Sequence, residues 1–243
     1  MSGIGIVGFG RFGALTARYL SEDFSVVVAT RSDKDAAIEA CGARPVDFAT
    51  ACGQAAVILC MPISAMQATL KRVAPLLRED ALVIDVCSVK VYPVQWMRDL
   101  LPASVSILPT HPMFGPDSAA ESLNGCKIVL CPERIATERY EKIRRWLESR
   151  GLVVIKSTAQ EHDEKIAVSL SLTHFIGRSL SAFGAHDLNI DTEGYKRLMH
   201  ILGVVSHDTW QLFEDMHNYN PYAKEKREAF IAAMTDIHER LNR

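Results

Sequence analysis

Ile4-Gly5-Ile6-Val7-Gly8-Phe9-Gly10-Arg11-Phe12-Gly13 decides the fold. The apolar opening reads as a buried strand, and a Gly-x-Gly-x-x-Gly follows it directly and opens a helix expected to reach about Leu20. The first glycine permits a tight turn, the second lets backbone approach a pyrophosphate, and the third allows close helix–strand packing. The helix N-terminus then faces the negative charge. Dinucleotide contacts are expected at Gly8, Phe9, Gly10, Arg11, Phe12 and Gly13.

Outward from this unit, short β-branched runs alternate with helix-length segments. They fall at Val26–Ala29, Ala56–Met61, Leu82–Val86, Val105–Leu108, Lys127–Cys131 and Val153–Ile155. Continuous apolar runs of this kind predict strands buried on both faces of a mostly parallel sheet. The fold class is α/β: a Rossmann-type doubly wound sheet, followed by a small all-helical C-terminal domain. After Lys156-Ser157-Thr158 the strand signals stop. We therefore expect a dinucleotide-binding domain over 1–158 and a helical substrate and dimerisation domain over 159–243. Within the latter, helices are predicted at about 159–185, 195–217 and 221–241. So few residues make a thin domain, and its broad apolar face predicts a homodimer through the helices.

With 243 residues, 48% hydrophobic content and a formal net charge of -2, the chain has no basic stripe for nucleic acid and no polybasic anchor for a membrane. A small-molecule substrate is the expected partner. Six cysteines without a Cys-x-x-Cys pair read as reduced core residues of a cytoplasmic protein, and no metal site is expected. No leader is expected, and no apolar segment is read as long enough to span a bilayer.

The second strand ends in Thr30-Arg31-Ser32, where an NAD-preferring site usually carries an acid for the ribose hydroxyls. A guanidinium and a hydroxyl suit a 2′-phosphate instead, so NADP is favoured over NAD. The alternative leaves Arg31 in solvent and lets Asp33 reach back to a ribose. Cys60-Met61-Pro62 ends a strand expected beside the first one and should contact the cofactor through backbone and packing.

Asp85-Val86-Cys87-Ser88-Val89-Lys90 ends another strand, and Thr110-His111-Pro112-Met113-Phe114-Gly115-Pro116 follows the next. Both strand ends point to the same rim, so Ser88 and His111 are expected to meet there. His111, held on a rigid turn between prolines, is a neutral-pH proton acceptor for a hydride-transfer step. His162 and His174 sit about 18 Å apart along one helix and cannot share a metal. On residue type alone, His174 reads first as a satisfied core residue.

Taken together, these motifs resemble the prephenate/arogenate dehydrogenase family of tyrosine biosynthesis, in particular its plant-type arogenate branch. The resemblance continues through Glu161-His162-Asp163, Thr173-His174 with Gly177-Arg178, Gly194-Tyr195 and Tyr219-Asn220-Pro221. It implies that His111 is catalytic, that Ser88 bonds to it and to cofactor or substrate, and that His174 contacts substrate. It also implies NADP and an aromatising oxidative decarboxylation. An arginine that binds a substrate carboxylate in some prephenate-specific members has no clean match among Arg197 and His200. Arg178, one helical turn after His174, is the substitute candidate, against a reading as an exposed or interface charge. Trp96, Trp146 and Trp210 read as packing residues. The cluster Arg139, Lys142, Arg144, Arg145 and Arg150 reads as a solvated helix face. Two competing functions are another NADP-linked oxidoreductase on the same scaffold, such as a 3-hydroxyacid dehydrogenase or imine reductase, and a non-catalytic NADP-sensing module.

Overall fold

The structure is a computed structural model that describes residues 3–243. It forms two compact units, Met1–Ala159 and Gln160–Arg243.

The first unit carries eight strands: β1 Ile4–Val7, β2 Val26–Ala29, β3 Arg44–Pro45, β4 Ala56–Leu59, β5 Leu82–Asp85, β6 Ser106–Pro112, β7 Lys127–Leu130 and β8 Val153–Lys156. They are ordered β3-β2-β1-β4-β5-β6-β7-β8. All pairings are parallel except β6 with β7, so the strand order reverses between β1 and β4 as in doubly wound sheets. Every residue of β1 and β2 is buried, as their unbroken apolar runs require. β8 departs from that rule. It is the sheet's edge, and Val153 and Ile155 are exposed there.

Helix α1, Arg11–Ser21, lays Ala17 and Leu20 against Ile4, Ile6, Val26 and Val28. Helix α2 is Asp35–Ala40, α3 is Phe48–Cys52, α4 is Ile63–Val73 and α5 is Val91–Leu100. Helix α6, Thr137–Ser149, sets Tyr140 and Leu147 against Leu82, Leu108, Ile128 and Leu130. Each fully buried aliphatic side chain in these layers contributes about 1.5–3 kcal/mol.

One correction matters for the site. His111 lies within β6, paired with Val129, and not on a turn after it. The strand uses its two edges in sequence: Ser106–Pro109 pair with β5, and Thr110–Pro112 pair with β7. Pro109 and Pro112 fit because the ladder takes only their carbonyls where it needs them; the Cys131 amide donates to the Pro109 carbonyl at 2.9 Å. His111 therefore stands two residues beyond the end of β5.

α6 is only partly a solvated face. Arg144 pairs with Glu141 and Glu148 along the helix, but Arg139 donates to the carbonyls of Asp80 and Ala55. Arg150 pairs with Glu22.

The second unit holds α7 Ala159–Ile166, a π-helical stretch Ala167–Leu172, α8 Thr173–Phe183, α9 Glu193–Ser206, α10 Trp210–Asn218 and α11 Ala223–Leu241. The single helix expected over 195–217 is broken in two. Thr209 accepts from the Leu212 amide at 3.1 Å and starts α10 afresh. Gly177 lets α8 approach α9, since a Cβ there would stand 2.6 Å from Val205 Cγ2. The Glu161-His162-Asp163 and Tyr219-Asn220-Pro221 motifs form one buried latch. His162 Nδ1 lies 2.7 Å from Asp163 Oδ1, and the Asn220 amide donates to the Asp163 carbonyl at 2.8 Å. Contrary to the sequence reading, the continuous helix Ala159–Phe183, 25 residues with an apolar stretch of mean hydropathy 1.2, is long and apolar enough to cross a bilayer by length and composition. Here it is the central helix of its unit, packed against α9, α10 and α11.

Candidate active site

The glycine fingerprint is built as a cradle. Gly8 has φ +103, and a Cβ there would stand 2.2 Å from the Cys60 carbonyl oxygen, so only glycine fits between β1 and β4. At Gly13 a Cβ would meet the Gly8 carbonyl at 2.3 Å. Gly10 differs, because nothing lies within 4 Å of its missing Cβ. It caps α1 without a side-chain hydrogen bond, and no acid occupies the first turn. The amides of the helix N-terminus thus face open space, which fits a pyrophosphate.

A groove of ≈ 620 Å³ runs beside this turn, lined on one side by Phe9, Gly10, Arg11 and Ala14 and on the other by Asp33–Ala37. Lys34 Nζ donates to the Phe9 carbonyl at 3.0 Å and ties the two walls together. The sequence reading expected cofactor contacts at Thr30, Arg31 and Ser32, with Asp33 on a ribose as the alternative. Arg31 and Ser32 are exposed just before the second wall, and Asp33 and Lys34 form the lining itself. Of the three residues ending β4, Cys60 donates its amide to the Val7 carbonyl at 2.8 Å, and Pro62 starts α4. Burial pushes the Cys60 thiol up to about 12, leaving it a packing group behind the fingerprint. Phe12 faces Phe114 at 6.1 Å, and Arg11 pairs with Asp117 at 2.5 Å. The loop that follows His111 is thereby clipped to the start of α1.

At the ends of β5 and β6, the structure brings together residues whose roles the sequence did not reveal. Lys90 and Asp85 form an ion pair with both side chains fully buried, and Lys90 also donates to the Thr110 carbonyl. Thr110 Oγ1 donates to the Asp85 carbonyl at 2.7 Å, and the Cys87 amide donates to Asp85 Oδ2 at 2.9 Å. Burial raises the Cys87 thiol well above its ordinary value. The visible signal was the five-residue spacing of an aspartate and a lysine around Ser88. Their pairing depends on the 86–90 turn, which that spacing does not encode. His111 is buried beside this network. The expected Ser88–His111 hydrogen bond is not formed. Ser88 Oγ is buried and has no hydrogen-bond partner among the described residues. The turn that carries Lys90 to Thr110 leaves the buried serine hydroxyl unpaired.

In the helical unit, His174 is buried, with Nε2 3.7 Å from Asp208 Oδ2 and Nδ1 unpartnered. Burial lowers its pKa, Asp208 opposes, and Arg178 lowers it further. Arg178 is half-buried, not the exposed charge of the alternative reading. It donates to the Asp208 carbonyl and lies over Trp210 at 5.5 Å and Phe213 at 6.0 Å. Trp210 is 58% exposed and acts as a platform for this guanidinium, unlike Trp146, which packs on Phe24. Arg197 and His200 are exposed on α9.

A glycine cradle on a doubly wound sheet, with a buried histidine at the same rim, defines a dinucleotide-binding protein of the dehydrogenase class. The model of the prephenate dehydrogenase nucleotide-binding domain matches residues 21–156, and that of a TYRAAT1-like C-terminal domain matches residues 179–243. The chain belongs to the prephenate/arogenate dehydrogenase family, on its plant-type branch. It is 33% identical to arogenate dehydrogenase 2, chloroplastic, of Arabidopsis thaliana over 98% of its own length and 69% of that protein. It spans 43% and 39% of the lengths of two further curated relatives. Among solved structures, prephenate dehydrogenase from Aquifex aeolicus, in complex with hydroxyphenyl propionate and NAD+, has a TM-score of 0.79 at 21% identity, covering 98% of this chain and 90% of that one. Synechocystis arogenate dehydrogenase has a TM-score of 0.73 at 23% identity, covering 96% and 89%.

Proposed function

We propose that this chain catalyses the oxidative decarboxylation of arogenate in tyrosine biosynthesis, with NADP as hydride acceptor and prephenate as the weaker substrate. The observation that carries the reaction is the placement of His111: buried, locked by strand pairing on β6, and adjacent to the Lys90-bound Thr110 carbonyl. A dinucleotide held at the Gly8–Gly13 cradle would supply the hydride acceptor. His111 takes the ring hydroxyl proton as hydride leaves the same carbon, which becomes a carbonyl. The carboxylate opposite departs as carbon dioxide, its bonding pair enters the ring, and the oxygen recovers a proton to give the phenol. Ser88 Oγ, unpartnered and buried, donates to substrate or cofactor.

The preference for arogenate rests on Asp208. Its carboxylate beside His174 gives the side-chain ammonium of arogenate a counter-ion, and prephenate has a keto group in that place. Arg178 binds the neighbouring carboxylate, with His174 beside it. The preference for NADP rests on Arg31 and Ser32, exposed at the end of β2 just before the groove wall, and on Lys34 in the wall itself. Purified protein assayed with both substrates and both cofactors tests the whole reading. The highest kcat/KM is expected for arogenate with NADP, and absence of turnover with every pair would overturn it. Asp208→Asn is expected to move the substrate ratio toward prephenate.

Two further parts of the reading concern setting and assembly. Six free cysteines support a reducing compartment, the cytoplasm. Exposed Ile231, Met234, Ile237 and Leu241 form an apolar stripe along α11 that supports a homodimer through the helical unit. Sedimentation of the purified chain distinguishes dimer from monomer.

A further inference from the structure

The helical unit holds a patch of buried nitrogens without partners. His174 Nδ1, Arg178 Nε and His217 Nε2 all lack a hydrogen bond. One ring borders both ends of the patch: Phe213 lies 6.0 Å from the Arg178 guanidinium and 4.7 Å, edge-on, from the His217 imidazole. His174 faces the Asp208 carboxylate with Nε2, so its Nδ1 is an acceptor, and the free donors are the N–H groups of Arg178 and His217. Unpartnered buried donors are costly and rare, so two in one patch mark a place completed by acceptor oxygens.

Arg227, on α11, decides what His217 offers. Its Nη1 lies 2.9 Å from His217 Nδ1. A guanidinium only donates, so Nδ1 accepts and the ring proton resides on Nε2. Burial, then Arg227, then His174 push the His217 pKa down to about 4, and the Ser171 backbone acts weakly in the opposite direction. The ring is therefore neutral at physiological pH and presents one fixed N–H. The charged and titratable groups around it are His174 and Arg178 on α8 and Arg227 on α11, with Asp208 paired to His174.

We infer that His217 is a further substrate-binding residue: its Nε2–H and the Arg178 Nε–H together hold a carboxylate of the substrate side chain, and Arg227 is the positioning residue that fixes the imidazole tautomer. This rests on the proposed reaction for the identity of the substrate, but the subsite itself requires only a carboxylate ligand.

The test uses binding, not turnover. Calorimetry on the full chain with NADP present compares 4-hydroxyphenylpropionate with the uncharged 3-(4-hydroxyphenyl)propan-1-ol. Wild type is expected to bind the acid more tightly than the alcohol. His217→Phe is expected to weaken the acid by about tenfold, the loss of one hydrogen bond to a charged group, and to leave the alcohol unchanged. His217→Gln keeps a donor and is expected to recover most of the affinity, which separates a lost bond from a misfolded variant. Arg227→Met removes one of the causes that depress the His217 pKa, so acid binding should strengthen more steeply than in wild type as pH falls from 7 toward 5. Equal losses for acid and alcohol, unchanged acid binding in His217→Phe, or no acid binding by wild type would each overturn the inference. If acid binding follows the expected pattern and arogenate is not turned over, the reaction fails and the subsite stands.

Discussion

Lys90 and Asp85 pair with both side chains fully buried, and the same ammonium donates to the Thr110 carbonyl, one residue before His111. A buried pair of this kind is worth little against an apolar substitute, but breaking it strands a charge. Lys90→Met leaves the Asp85 carboxylate alone in the core. It should cost about 3–5 kcal/mol in urea unfolding. Adding Asp85→Asn should restore part of that loss, and a purely additive second loss would show that the two groups are not coupled.

His111 is fixed by backbone pairing on β6, so its replacement should change chemistry and leave the fold intact. His111→Asn is expected to lower kcat by about 10²- to 10⁴-fold, the range of a lost general base, with KM for the dinucleotide little changed. Steady-state kinetics across pH 6 to 9 check this. Near-normal turnover would remove His111 from the mechanism.

Much of this architecture was legible from local pattern. The fingerprint after β1 and the apolar strand runs carry their physics in neighbouring residues, and the groove beside the fingerprint is lined by Asp33–Ala37, directly after the Thr30–Ser32 run read from the sequence. What stayed hidden depends on distant pairing. The extension of β6 through two prolines needs β7 as an antiparallel partner, and the orphan state of Ser88 needs Lys90 to bend back to Thr110. The Arg178, Trp210 and His217 cluster joins α8 to α10, which a single long helix over 195–217 concealed.

Arg31 is the cleanest reporter of cofactor choice, because it is exposed at the end of β2 and outside the core. Removing a charge-assisted contact to a 2′-phosphate costs about 1.5–3 kcal/mol, roughly 10- to 100-fold in kcat/KM. Arg31→Ala should show that loss with NADP and almost none with NAD. Parallel losses with both cofactors would place Arg31 away from the 2′-phosphate.

Two fingerprint glycines should separate folding from binding. A methyl at Gly13 meets the Gly8 carbonyl at 2.3 Å, so Gly13→Ala overpacks the β1–α1 turn and should cost about 1–3 kcal/mol. A methyl at Gly10 meets nothing within 4 Å, and the local φ of -80 suits alanine. Gly10→Ala should therefore unfold within about 0.5 kcal/mol of wild type. It should nevertheless lose dinucleotide affinity, because the methyl enters the space before the helix N-terminus. Denaturation alongside calorimetry tests the pair. Full cofactor affinity in Gly10→Ala would show that the pyrophosphate does not approach that backbone.

Stability should fall in mild acid through His217. Its pKa is depressed from 6.5 to about 4, so below pH 6.5 the unfolded chain binds a proton that the folded chain refuses. The stability this group contributes is complete above pH 6.5 and is lost as pH falls toward 4, at no more than about 1.4 kcal/mol per pH unit. His174, lowered by its own burial, adds to the slope in the same direction. Chemical denaturation at pH 7, 6, 5 and 4.5 should show the decline. His217→Phe should flatten it by the share of one proton, and an unchanged slope in that variant would place the titrating group elsewhere.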